Sequence, residues 1–317
     1  MKLLPMLALL AAALPALAAT GDAPDRRPIT HEDVYLAQRP GAPEPSPDGR
    51  WIAFALPVPS YDHEQRSSDL WLVPADGSAP ARALTATRDP EGALAWSPDS
   101  TRLAFTARRE GDSERQVYVL DPAAGGEARG VTALAAGADA PVWSPDGSAL
   151  LVTTLVYPGV ADEEANRKAI EARKARRFNT RVYEDFPIRH WDRWLDERRP
   201  MPVVQPLAEG AAPRYLLGGT RLFASRGYGG SPGNAGESPQ ATLTPDGGNG
   251  VFVPPDSRHE AARREVPLGL WVVPAAGGEP RRLTDATASW SNPAFSADGR
   301  HLYAKRTAVN RFVYNDT

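Results

Sequence analysis

Four features of this 317-residue sequence carry side chains able to do chemistry. The densest is Arg189-His190-Trp191-Asp192-Arg193-Trp194, where a guanidinium, an imidazole and a carboxylate are set among two indoles. Guanidinium groups bond carbonyl oxygens, carboxylates bond amines, and indoles stack on flat or apolar groups. Arg189, Asp192, Trp191 and Trp194 therefore suit the holding of a polar ligand; the plainer reading is that the aromatics anchor a loop while Arg189 and Asp192 pair nearby. The second feature is Glu163-Glu164, inside a charged run over 162–177. Glu163/Arg167 and Glu164/Lys168 have the i,i+4 spacing of ion pairs on a helix, which makes this run a solvated helical face. The third is Gly229-Gly230-Ser231-Pro232-Gly233, a formal GxSxG match. A serine elbow for acyl transfer needs a strand before it, a helix after it, and a backbone N–H on the next residue to hold the oxyanion. Pro232 has no N–H, and the surroundings read as a Gly-rich loop. The fourth feature, the histidines His31, His63, His190, His259 and His301, is scattered. No catalytic residue is expected in this chain.

Composition narrows the classes further. With 36 Lys+Arg against 39 Asp+Glu the formal charge is −3, and the basic excess of a nucleic-acid binder is missing. Zero cysteines exclude disulfides, thiolate zinc sites and a cysteine nucleophile. Neither a His-x-x-x-His zinc helix nor a phosphate loop with Gly-Lys occurs. No metal and no cofactor is expected. The 27 Gly and 32 Pro are more than a helical protein tolerates, and the 42% hydrophobic residues are enough for a core.

The elements that must position these residues come from a repeat. Ser46-Pro47-Asp48-Gly49 recurs as Ser97-Pro98-Asp99-Ser100, Ser144-Pro145-Asp146-Gly147, Thr244-Pro245-Asp246-Gly247 and Ser296-Ala297-Asp298-Gly299, with first residues 51, 47, 100 and 52 positions apart. Each copy has turn chemistry: Pro presets φ, Asp bonds locally, and Gly takes a positive φ. Its aspartates lack the clustered oxygens of a calcium site and are turn residues. Apolar strand-like segments flank the turns, such as Leu94-Ala95-Trp96 before and Leu103-Ala104-Phe105 after. Further strands follow at Asp69–Pro74, Gln116–Asp121 and Gly269–Pro274, each leading through a Gly-containing turn to an outer strand ending in Thr85, Thr132 or Thr284. Four strands every ~50 residues predict an all-β protein, a β-propeller of four-stranded blades. The blades fall at about 42–86, 93–133, 140–217 with a helical insertion over 157–200, and 240–285, with the start of a fifth over 292–317. Arg311-Phe312-Val313-Tyr314 reads as the third strand of an unfinished blade, so the propeller is expected to be incomplete in this sequence.

Residues 1–19 read as an export signal: Met1-Lys2, an apolar run from Leu3 to Leu14, and a small-x-small site at Ala16-Leu17-Ala18. Cleavage after Ala18 or Ala19 would leave a periplasmic or secreted bacterial protein starting near Thr20, with no membrane span, because the run is shorter than the ~20 residues a span needs. Residues 20–41 form an N-terminal segment in which Thr30 and Asp33 set up the start of a short helix.

That opening, Thr30-His31-Glu32-Asp33-Val34 leading into the first SPDG turn, and the insert from Arg181 to Trp194 resemble the N-terminal part of secreted dipeptidyl-peptidase-5-like and acylaminoacyl-peptidase-like enzymes. These belong to the prolyl oligopeptidase family of serine peptidases. The resemblance covers essentially residues 28–317. It implies a propeller that caps an α/β-hydrolase domain and filters peptides, with Ser, Asp and His carried by that domain. It also implies substrate-side roles for Arg189, His190, Trp191, Asp192 and Trp194, and an amine-holding role for Glu163 and Glu164 like that of paired glutamates in some dipeptidyl peptidases. SPDG repeats are shared with TolB-type propellers, so the alternative is a non-enzymatic periplasmic propeller that binds protein partners. TolB's separate N-terminal domain has no room before residue 42.

Overall fold

The computed structural model describes residues 27–178, 180–183, 188–230, 238–261, 263–296 and 298–309. The chain divides after Ala37 into two compact units. In the first, Thr30 caps helix α1 (His31–Tyr35) with a reciprocal box. Its hydroxyl accepts from the Asp33 N–H, and the Asp33 carboxylate accepts from the Thr30 N–H at 2.8 Å.

The second unit is built from antiparallel sheets in chain order. Strands β1 (Glu44–Pro45), β2 (Trp51–Val58), β3 (Ser67–Pro74) and β4 (Arg82–Ala83) form the first. The second comprises β5 (Gly92–Trp96), β6 (Leu103–Ala107), β7 (Gln116–Leu120) and β8 (Arg129–Gly130). In the third, β9 (Asp139–Trp143) and β10 (Ala149–Val156) are followed by an insertion holding helix α2 (Glu163–Lys174) and a hairpin of β11 (Arg189–His190) and β12 (Arg193–Trp194). The sheet then resumes with β13 (Arg199–Pro206) and β14 (Arg214–Tyr215), after which comes the short helix α3 (Arg221–Ala224). The fourth sheet is β15 (Gln240–Leu243), β16 (Asn249–Val253), β17 (Trp271–Pro274) and β18 (Arg281–Arg282); β19 (Ala288–Phe295) and β20 (Leu302–Ala308) form a fifth, two-stranded one.

The repeated turn explains why each first hairpin closes. The Ser46 and Ser144 hydroxyls donate to the Asp48 and Asp146 carboxylates at 2.5 and 2.6 Å. The same hydroxyls accept from the N–H groups of Trp51 and Ala149, five residues on, at 3.0 and 2.9 Å. Gly49 and Gly147 take φ of +70° and +68°. In the worn copy Ser100 holds φ +61° without glycine's freedom, and its hydroxyl accepts from the Asp48 N–H at 3.0 Å, tying two successive turns together. Threonines close the other edge: Thr85 and Thr132 accept from the N–H groups of Leu70 and Val117 in the third strands, and Thr284 from that of Leu270 just before one.

Successive sheets pack face to face. Leu70 and Leu72 meet Trp96, Leu103 and Phe105, whereas Val117 and Val119 share a larger core with Leu150, Val152, Val203 and Phe252. Val251, Val253 and Leu270 pack toward Trp290, Phe295 and Leu302. Covered on both faces, β6, β7 and nearly all of β10 are continuously buried, which is why they read as unbroken apolar runs. Indole groups stitch neighbouring inner strands: Trp96 Nε1 donates to the Glu44 carbonyl and Trp143 Nε1 to the Ala95 carbonyl, both at 2.9 Å. Arg102 lies 4.6 Å over the Trp143 ring and donates to the Gly147 carbonyl at 3.1 Å. The SPDG turns thus gather at one end of the sheets, and the insertion leaves from the other. No helix among the described residues is long and apolar enough to cross a membrane.

Candidate functional site

Two concavities are built around the end away from the SPDG turns. The first is lined by the inner strands. Ala93, Ala140 and Asn292 occupy equivalent places in β5, β9 and β19, with φ of +49°, +50° and +53°. Ladder register shifts at these points in β5 and β19, and where β9 meets β10. The bends open a cavity of about 460 Å³ between Leu94, Pro141, Val142, Gln240, Ala241 and Pro293. The Asn292 N–H donates to Gln240 Oε1 at 2.5 Å and ties the fourth sheet to the fifth.

The second concavity belongs to the insertion. Helix α2 starts where Asp162 accepts from the Ala165 N–H at 2.8 Å. Glu163 then fixes its first turn: Oε1 accepts from the Ala135 N–H at 2.8 Å and from Arg167 at 2.9 Å, and Oε2 accepts from the Tyr215 hydroxyl at 2.7 Å. Burial, reinforced by the Glu163 carboxylate, pushes the Tyr215 phenol well above its usual range. Asn166, fully buried, donates to the Leu155 carbonyl at 3.0 Å. Glu164 faces solvent and pairs with Lys168 at 2.6 Å. At the far end of the helix Arg173 pairs with Glu197 at 3.1 Å, just after the hairpin.

In the hairpin, Arg189 is registered opposite Trp194 and His190 opposite Arg193. Trp191 forms the tip in the left-handed region, at φ +52° and 84% exposed, with Asp192 exposed beside it. Trp194 is 55% exposed and stacks on Tyr183 with ring centres 6.0 Å apart. The Tyr183 hydroxyl donates to the Leu195 carbonyl at 2.8 Å, which holds the stack against the hairpin base. A polar cavity of about 230 Å³ lies between Tyr157, Arg173, Tyr183, Trp194, Asp196 and Glu197. Burial alone would raise the Asp196 carboxyl, but bonds from Arg198 at 2.9 and 2.6 Å and the Arg198 N–H at 2.8 Å outweigh it and keep Asp196 below its usual range. Asp196 is thus an ionised, already-partnered wall at neutral pH, and Trp194 offers a half-open indole face for stacking.

The structure brings Arg189, Trp191, Asp192 and Trp194 onto one hairpin, with His190 paired in β11. It does not bring Glu163 and Glu164 to them. These lie at the opposite end of α2 from Arg173, about 15 Å along a helix rising about 1.5 Å per residue. Ser231, Pro232 and Gly233 of the GxSxG match lie outside the described residues. Sequence reasoning did not find the three bent inner-strand positions. The residue types give no signal for them: a proline follows Ala140 and Asn292, but it favours extended backbone at negative φ, not the positive φ seen.

No family model matches the chain. Dipeptidyl-peptidase 5 of Porphyromonas endodontalis is 23% identical over 283 residues, which are 86% of this chain and 38% of that protein. The uncharacterized peptidase YuxL of Bacillus subtilis is 32% identical over 142 residues, 44% of this chain and 21% of that protein. Over these spans the chain is similar in sequence to proteins named as peptidases. It spans between a fifth and two fifths of the length of these two relatives. In fold it resembles acylaminoacyl peptidase of Pyrococcus horikoshii, with a TM-score of 0.56 and 13% identity over 89% of this chain and 37% of that one.

Proposed function

We propose that this chain is the β-propeller portion of an exported serine exopeptidase, a dipeptidyl or acylaminoacyl peptidase, and that its role is to admit and position peptides. Hydrolysis in the parent enzyme would pass through a serine ester on an α/β-hydrolase domain. The sheets are its blades, and the observation that carries the reading is the match to dipeptidyl-peptidase 5 along 86% of the chain. The two concavities support it, because both open at the end from which the insertion departs. The inner-strand cavity offers neutral polar and apolar walls, and the hairpin adds a stacking face at Trp194.

Binding of a fluorescently labelled tetrapeptide to the full chain tests this. Stacking on an indole is worth about 0.5–1.5 kcal/mol, so Trp194→Ala is expected to weaken binding roughly two- to tenfold. A chain that binds no peptide overturns the reading, and unchanged affinity in Trp194→Ala removes the hairpin from it. Export is proposed from residues 1–19, and N-terminal sequencing of the native product is expected to start near Thr20. A product retaining Met1 contradicts export by a cleaved signal.

A further inference from the structure

The polar cavity beside the hairpin has donors to spare. Its acids are engaged: both Asp196 oxygens accept from Arg198, and Glu197 pairs with Arg173 at 3.1 Å. Arg181 lines the same cavity and is exposed, and no carboxylate among the described residues pairs with it. Its Nη1 reaches the Trp194 carbonyl at 3.4 Å, beyond the usual range of an N–H···O bond. Three guanidinium groups, those of Arg173, Arg181 and Arg198, thus stand against two carboxylates. Tyr157, half-buried in the lining, makes no hydrogen bond through its hydroxyl among the described residues. Burial pushes its phenol above the usual value, so the hydroxyl is a protonated donor at neutral pH. Val182, Tyr183 and the half-open Trp194 indole supply the apolar part of the wall. A space of about 230 Å³ is smaller than the roughly 300–1,000 Å³ of sites that enclose a whole ligand, so it fits one residue of a longer one. A planar guanidinium and a phenol O–H match the two oxygens of a carboxylate, whereas an amine would meet a like charge.

We propose that this cavity is the subsite for one carboxylate-bearing residue of the bound peptide, with the carboxylate on Arg181 and Tyr157 and the rest of that residue against Trp194. The carboxylate is either the C-terminus of the peptide or an acidic side chain, and the same groups recognise both. The assignment rests on the peptide-handling reading above and adds a charge preference to it. From Arg173 to Arg181 the chain carries five cations (Arg173, Lys174, Arg176, Arg177 and Arg181) and no acid, against a formal −3 for the whole, so the approach to the cavity also favours an anion.

The test titrates the full chain at fixed ionic strength with N-terminally labelled tetrapeptides in two pairs: Ala-Ala-Ala-Phe as acid and as amide, and the amides of Ala-Ala-Glu-Ala and Ala-Ala-Gln-Ala. The wild type is expected to bind the acidic member of at least one pair about fivefold or more tightly, the step expected of a charge-assisted contact partly open to water. A preference in the first pair assigns the carboxylate to the C-terminus, and one in the second assigns it to a side chain. In Arg181→Gln the preference should fall below about twofold while the neutral peptides bind as before. Arg181→Lys should keep part of it, because a point charge replaces the planar fork. Tyr157→Phe should weaken the acidic peptide alone by about two- to fivefold. Arg181→Gln should unfold within about 2 °C of the wild type, since it removes no ion pair, and Arg300→Gln, beside the last of the repeated turns, should keep the full preference. Equal binding within both pairs by the wild type overturns the subsite and leaves the peptide reading standing, and binding of none of the peptides overturns both. A preference that survives in Arg181→Gln, or falls equally in Arg300→Gln, also overturns the subsite. A larger fall in unfolding temperature in Arg181→Gln, with the neutral peptides weakened too, makes the residue structural and does the same.

Discussion

Replacing Glu163 by alanine separates two readings of the paired glutamates. If Glu163 held a substrate amine, its loss would weaken binding and leave the fold intact. In the structure it is a clip instead: one carboxylate, 16% exposed, accepts from the Ala135 N–H, the Tyr215 hydroxyl and Arg167. The Arg167 bond counts for little, because that guanidinium is 51% exposed and screened. The other two are charge-assisted bonds, each worth about 1.5–3 kcal/mol, and one leaves the hydroxyl of buried Tyr215 orphaned when it goes. Discounting for overlap, Glu163→Ala should cost about 3 kcal/mol. For a unit of this size that is a fall of roughly 6–12 °C in Tm. Glu164→Ala, which removes one exposed ion pair, should stay within about 0.5 kcal/mol. Urea unfolding of both variants and of Tyr215→Phe, combined in a double-mutant cycle, measures the clip directly. A loss below about 1 kcal/mol in Glu163→Ala, or equal losses in the two glutamate variants, refutes the reasoning.

Three further outcomes follow from the same geometry. Gly227→Ala would place a Cβ 1.9 Å from the Asp256 carbonyl oxygen, so it should cost at least about 3 kcal/mol or abolish soluble expression; a variant as stable as the wild type contradicts the close approach. Trp143→Phe keeps one aromatic ring but removes the indole N–H to the Ala95 carbonyl and part of a buried side chain, so it should cost at least about 1–2 kcal/mol in urea unfolding, and no loss would show that the indole does not stitch the sheets. The turn carboxylates Asp48, Asp99 and Asp146, held near pH 2 first by the Ser46, Ser97 and Ser144 hydroxyls and then by backbone N–H groups, titrate below their unfolded values. Their contribution is therefore complete above about pH 4 and lost as pH falls toward 2, which acid titration of Tm should show, with the loss reduced in Asp146→Asn.

The turns were legible because their chemistry is local. Serine, proline, aspartate and glycine within four positions specify the bonds that Ser144 and Asp146 make, wherever the turn is placed. Strands such as β7 were legible because continuous burial leaves a continuous apolar run. What joins the sheets was not legible. The Trp143 indole meets a carbonyl 48 residues away, and Glu163 is held by groups 28 and 52 residues distant. The i,i+4 pattern around Glu163 predicted its bond to Arg167 and said nothing of Tyr215. The hairpin could be read as a cluster of functional side chains but not as a hairpin, because Trp191 has no intrinsic preference for the left-handed conformation it adopts.

The peptidase reading is tested most directly on the native gene product. Antibody raised against this chain would recover that product from the cells that make it, for assay with dipeptidyl- and acylaminoacyl-arylamides with and without a serine-directed inhibitor. The account predicts hydrolysis of at least one of these substrates by the recovered protein, abolished by the inhibitor, and none by the purified 317-residue chain. A recovered protein that hydrolyses neither substrate, or activity in the purified chain that the inhibitor abolishes, would contradict it.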